Sequence, residues 1–121
     1  MTDFITKDIE YLHLELSKIN VLPDLTLYDA LAEMTRYTKN VYLIKLKNSM
    51  YRAVYDIHHE IFEGDTETDT LYKMVMSFIE NDESYIIKPL KKPDHILQSD
   101  WEVLYGKLNI PKVRYVDISK I

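Results

Sequence analysis

The chain predicts an α+β domain: a small mixed or antiparallel sheet with helices packed on one face, in the order α-α-β-β-α-β-α-β. Three observations carry that reading. Apolar residues recur at helical spacing over the first 37 positions, the period changes to alternation across 41–57, and both periods return in the second half. No repeat, low-complexity tract or long linker divides residues 1–121, so one domain is expected.

Ile5, Ile9, Leu12, Leu16 and Ile19 define an amphipathic helix over 3–19, which Pro23 ends. Thr26, followed three residues later by Asp29, reads as an N-cap opening a second helix with the stripe Leu27, Ala30, Leu31, Met34 and Tyr37. Residues 41–47 and 50–57 are β-branched and aromatic, and Asn48-Ser49 between them reads as a hairpin turn. Alternation places Tyr51, Ala53, Tyr55 and Ile57 on one face, with Arg52, Val54 and Asp56 on the other. The run from Glu63 to Asp69 reads as a loop, with Thr70 capping a third helix that carries Leu71, Met74, Val75 and Phe78. Residues 84–88 make a short strand ended by Pro89. Ser99 and Glu102 form a capping box for a helix through Leu108, and 112–118 alternate as a last strand, Val113 and Tyr115 against Arg114, Val116 and Ile118.

Composition excludes much chemistry. With no cysteine there is no thiol nucleophile, iron–sulfur cluster or thiolate zinc site, and the two glycines, Gly64 and Gly106, are too far apart to cradle phosphate. Asp3, Lys7, Asp8 and Glu10 occupy the place of a signal peptide's apolar region, and no apolar run reaches the roughly 18 residues of a membrane helix, so a cytoplasmic protein is expected.

Charge is unevenly distributed beneath the net −5: residues 1–35 carry −5, 36–55 carry +5, 56–83 carry −8 and 84–121 carry +3. Like charges clustered in a folded chain repel unless they face water or an oppositely charged partner. The 56–83 block is therefore either a solvated face or a surface aimed at a basic groove, such as one that otherwise holds nucleic acid. Direct nucleic-acid binding is disfavoured, because it demands a clustered basic surface and only the segment around Lys45 and Lys47 offers one.

Candidates for catalysis are thin. His58-His59-Glu60 with Glu63 and Asp65 is the densest group of metal-ligand types, but adjacent histidines on a strand point to opposite faces and the helical two-histidine spacing is not met. The alternating acids of 65–69 lack the glycine and the distal glutamate of a calcium loop. No serine lies in a glycine-flanked turn, and His13, beside the first apolar stripe, reads as structural. A non-enzymatic protein without cofactor or metal is expected. Ten tyrosines and one tryptophan point instead to protein contacts.

Ser99-Asp100-Trp101-Glu102-Val103-Leu104-Tyr105-Gly106, between a Tyr-Ile-Ile-Lys strand and an alternating strand, resembles the helix of the small acidic uracil-DNA glycosylase inhibitors of phages. The resemblance is close over eight residues and loose over about forty; the family lacks the N-terminal two-helix part. It implies a DNA mimic in which Trp101 plugs a pocket of the enzyme while Glu102 and Tyr105 support it. Together with the charge pattern, it sets the expectation of a phage or mobile-element protein that binds and inhibits a DNA- or RNA-handling host enzyme: a glycosylase, a CRISPR nuclease or a polymerase. The expected contact residues are Trp101, Glu102 and Tyr105, with the carboxylates of Glu63, Asp65, Glu67, Asp69, Asp82 and Glu83. The alternative is an immunity, antitoxin or housekeeping interaction module whose acidity serves solubility. Strand edges and exposed tyrosines leave a homodimer open.

Overall fold

The computed structural model describes residues 9–38, 40–55, 60–83 and 91–120. The expected strand at 84–88, His58, His59 and residues 3–8 of the expected first helix lie outside them.

The described part of the first helix is a 3₁₀ turn, Ile9–Leu12, running into α1, His13–Leu16. Ile9, Leu12 and Leu16 are buried, as their spacing requires, but the helix stops before Ile19. The chain then forms a two-stranded ribbon, β1 (Asn20–Leu22) against β2 (Leu25–Thr26), with Pro23 at its turn. Thr26 caps α2 (Leu27–Tyr37), its hydroxyl accepting the Asp29 N–H at 3.2 Å, as expected. Leu27, Ala30, Leu31 and Met34 are buried; Tyr37 is instead exposed at the rim, its ring edge-on to Phe78, and Tyr28 is buried in its place.

The main sheet has the order β5-β4-β3-β6. Strands β3 (Val41–Lys45) and β4 (Tyr51–Tyr55) pair antiparallel with Val41 opposite Tyr55 and Lys45 opposite Tyr51. The hairpin tip closes through Leu46 N–H to the Met50 carbonyl at 2.8 Å. Ser49 there takes a left-handed φ of 65°, and Asn48 accepts the Met50 N–H at 3.2 Å. Strand β5 (Phe62–Gly64) adds antiparallel to β4 within a stretch that reads as loop from the sequence, and β6 (Arg114–Asp117) adds parallel to β3.

One sheet face, formed by Val41, Leu43, Ala53 and Tyr55, packs with α2 and with α3 (Glu67–Phe78), which contributes Leu71, Met74, Val75 and Phe78. Burying each such large apolar side chain contributes about 2 kcal/mol. Helix α3 opens one turn earlier than Thr70 suggests: the cap is Thr66, whose hydroxyl accepts the Asp69 N–H at 3.0 Å, while Thr70 is buried and bonds back to the Thr66 carbonyl. A π-helical turn, Ile79–Glu83, extends α3. Helix α4 (Gln98–Leu108) begins after Leu97 with no side-chain cap, so Ser99 lies inside the helix and forms no capping box. No helix among the described residues is long and apolar enough to cross a membrane.

Candidate functional site

The expected contact residues fall in three regions: Glu63 to Asp69 where β5 meets α3, Asp82 and Glu83 in the π-helical turn, and Trp101, Glu102 and Tyr105 on α4. Glu63, Asp65, Glu67 and Asp69 surround the junction of β5 and α3. There Gly64 is buried, and a Cβ on it would lie 2.6 Å from Asp69 Oδ2 and 2.8 Å from Thr70 Oγ1, so the strand approaches the helix as only glycine allows. Glu67 and Asp69 in the first turn also oppose the helix dipole, which gives part of this acidity a structural purpose. Two of the four are tied to cations: Glu63 to Arg52 at 3.5 Å and Asp69 to Lys73 at 3.2 Å. Lys73 also donates to the Glu63 carbonyl at 2.9 Å.

The N-terminal helix brings further groups to this junction. The Tyr11 hydroxyl donates to Glu67, and the Thr68 hydroxyl donates to Glu15 at 3.2 Å. Between these elements opens a cleft of about 390 Å³ lined by Tyr11, Glu15, Tyr51, Asp65, Thr66 and Glu67, with buried Leu12 behind them. Two shallower hollows continue it: one of about 300 Å³ shares Tyr11 and adds Glu10 and His13, and one of about 320 Å³ shares Thr66 and adds Asp69 and Tyr72.

Among the described residues, the titratable groups that line the cleft are Tyr11, Glu15, Tyr51, Asp65 and Glu67. Burial, then the hydrogen bond and charge of Glu67, hold the Tyr11 phenol well above its ordinary pKa. Burial, then the charges of Glu67, Tyr51 and Asp117, push Tyr115 up to about 12. Both phenols are therefore neutral at physiological pH and offer ring surface and hydroxyls rather than acid–base chemistry. Asp117 is held below its usual range by hydrogen bonds from Ser119. His13 stacks on Tyr28 at 4.0 Å and pairs with Glu10 at 3.1 Å, a structural placement.

Trp101, Glu102 and Tyr105 lie on α4, and no described hydrogen bond, ion pair or ring contact joins them to the cleft. Trp101 is half-buried, with its ring 5.8 Å from that of Tyr105; Glu102 is exposed beside Gln98. Burial, then the charge and hydrogen bond of Asp29, push the Tyr105 phenol up to about 12, so Tyr105 fastens α4 to the start of α2. The rest of that junction is also polar. Buried Asn109 donates to Asp29 at 2.6 Å and accepts from Arg36 at 3.0 Å; Arg36 donates to the Leu108 carbonyl at 3.0 Å and pairs with Glu33. The Lys112 N–H reaches the Thr35 hydroxyl at 3.0 Å. No α4 side chain is fully buried, and Leu97 before it, Val103 and Leu108 are 70%, 61% and 51% exposed.

Asp65, Glu67 and Asp69 thus share one end of the molecule, whereas Trp101, Glu102 and Tyr105 belong to another element. The side chains of Asp82 and Glu83 lie outside the described residues, as do His58 and His59. Among the described residues no group of three or more metal-ligand side chains is placed to hold an ion. The sequence reading missed Tyr11, Glu15 and Tyr51 at the cleft; the only sequence signals for them were the tyrosine count and the acidic first block. No protein-family model matches the chain, and the comparisons with curated proteins and with solved structures found no match.

Proposed function

We propose that the chain is a non-enzymatic, phage- or mobile-element-encoded protein that binds and inhibits a nucleic-acid-handling host protein by presenting carboxylates to its basic groove. One observation carries this reading: Glu15, Asp65 and Glu67 converge on a single cleft from separate elements, with Glu10 and Asp69 in the adjoining hollows. Lys73 is already paired with Asp69, and His13 hydrogen-bonds Glu10. Carboxylates so arranged present a negative surface to groups that otherwise hold phosphates, and such association is steered by charge and weakened by salt.

The test is capture of partners from a bacterial lysate on the immobilised chain, with duplex DNA as competitor and a salt gradient for elution. Raising ionic strength from about 0.1 M to 1 M shortens the screening length from about 10 Å to about 3 Å, which should release the partner. The Asp65→Asn, Glu67→Gln, Asp69→Asn triple variant should not retain it. Capture that resists salt and is not competed by DNA would refute the mimic. That outcome would favour the second reading, an interaction module using α4, for which the exposed Val103 and Leu108 speak. Uracil excision by a purified uracil-DNA glycosylase, assayed with the chain and its Trp101→Ala variant, tests the glycosylase target directly.

A further inference from the structure

We propose that the cleft between the N-terminal helix, the start of β4 and the N-terminus of α3 is a receptor for one arginine side chain of the partner. The guanidinium would lie against the rings of Tyr11 and Tyr51 and within reach of Glu15, Asp65 and Glu67. This deepens, and rests on, the reading that the partner offers a basic groove.

The cleft has the volume, about 390 Å³, to admit a guanidinium with its methylene stem, and Leu12 supplies apolar surface for that stem. Among the described residues its titratable lining groups are all carboxylates or phenols. Lys45, across from Tyr51 in the hairpin, sits beside Asp117 rather than in the cleft. Acceptors remain for a ligand: an ionised carboxylate offers about four acceptor sites. Glu67 receives the Tyr11 hydroxyl, Glu15 receives that of Thr68, and Asp65 is exposed.

Guanidinium fits better than ammonium for two reasons. It is planar and weakly hydrated, so it stacks on tyrosine rings, and its five N–H donors can serve several carboxylates at once. Lysine brings a compact, strongly hydrated charge that gains little from the rings. An acidic patch without rings would take both cations in proportion to charge; the combination of Tyr11 and Tyr51 with three acids makes the cleft selective.

The probe is acetyl-Gly-Arg-Gly-amide, titrated into the full chain and followed by amide and tyrosine-ring NMR signals, with the lysine and citrulline tripeptides as controls. The arginine peptide should shift Tyr11, Tyr51, Thr66 and Glu67 together. It should bind at least about threefold more tightly than the lysine peptide, and citrulline should not bind. Tyr51→Leu should abolish the preference for arginine while retaining weak binding of both cations, and Asp65→Asn, at an exposed site, should weaken binding without touching the fold. Equal shifts with arginine and lysine, shifts spread over the whole acidic surface, or no shifts would overturn the proposal. If a partner is captured salt-dependently yet tolerates Tyr51→Leu, the arginine receptor falls and the mimic stands. If the tripeptide binds as described but no partner is captured, the mimic falls and the receptor stands.

Discussion

Asn109→Ala should loosen α4 from the body of the protein before it unfolds the rest. Asn109 is 2% exposed and makes two hydrogen bonds with charged groups, donating to Asp29 at 2.6 Å and accepting from Arg36 at 3.0 Å. Hydrogen bonds to charged groups contribute about 1.5–3 kcal/mol each, but both partners keep other bonds, Asp29 with Tyr105 and Arg36 with Glu33 and the Leu108 carbonyl. The loss should therefore lie near the lower end, about 2–3 kcal/mol in all, a large share of the roughly 5–15 kcal/mol that stabilises a domain. No fully buried α4 side chain offsets it. Trp101, the single tryptophan, lies on α4 and reports its docking, while far-ultraviolet circular dichroism follows the whole chain. In urea, with a slope of about 1.5 kcal/mol per molar, the fluorescence midpoint should fall by about 1.3–2 M and precede the dichroism transition. Coincident transitions displaced by less than about 0.3 M would show that the polar junction does not hold α4, and the reasoning would be wrong.

Thr66→Ala removes the α3 cap and should cost about 1 kcal/mol, with faster hydrogen exchange in the first turn of α3; unchanged exchange there would contradict the capping geometry. Tyr105 and Tyr115, raised from an ordinary 10 to about 12, should ionise above the range of a free phenol, extending the phenolate absorbance titration to high pH. Because the folded chain holds these protons more tightly than the unfolded one, their contribution to stability is intact below about pH 10 and lost as pH climbs through 12. A single phase at ordinary phenol pKa, or alkaline stability that does not fall over that window, would refute the assigned environments.

Local signals read well where the structure is local. Thr26 with Asp29 gave the α2 cap because a hydroxyl and an N–H three residues apart meet whatever else the chain does. The same reasoning misplaced the cap of α3 at Thr70, because two threonines four residues apart offer equal chemistry and only the approach of Gly64 to Thr70 decides between them. The capping box at Ser99 failed for a related reason: α4 starts at Gln98, where the chain leaves Leu97, and Glu102 bonds to Gln98. Strand β5 was illegible because three residues around Glu63 carry no period of their own; they become a strand by pairing with Tyr51, Arg52 and Ala53.

By itself the sequence determined the α+β class, the apolar faces of α2 and α3, the hairpin at Asn48-Ser49 and the acidity of the 56–83 block, all of which follow from periodicity and composition within short windows. Only the tertiary structure decided that Glu15 and Tyr11 meet Glu67, that Tyr51 joins them across Gly64, and that Tyr105 turns inward to Asp29. The reason is physical: a helical stripe is fixed by neighbours three or four residues away, whereas a cleft exists only after elements some fifty residues apart, such as Tyr11 and Glu67, have packed.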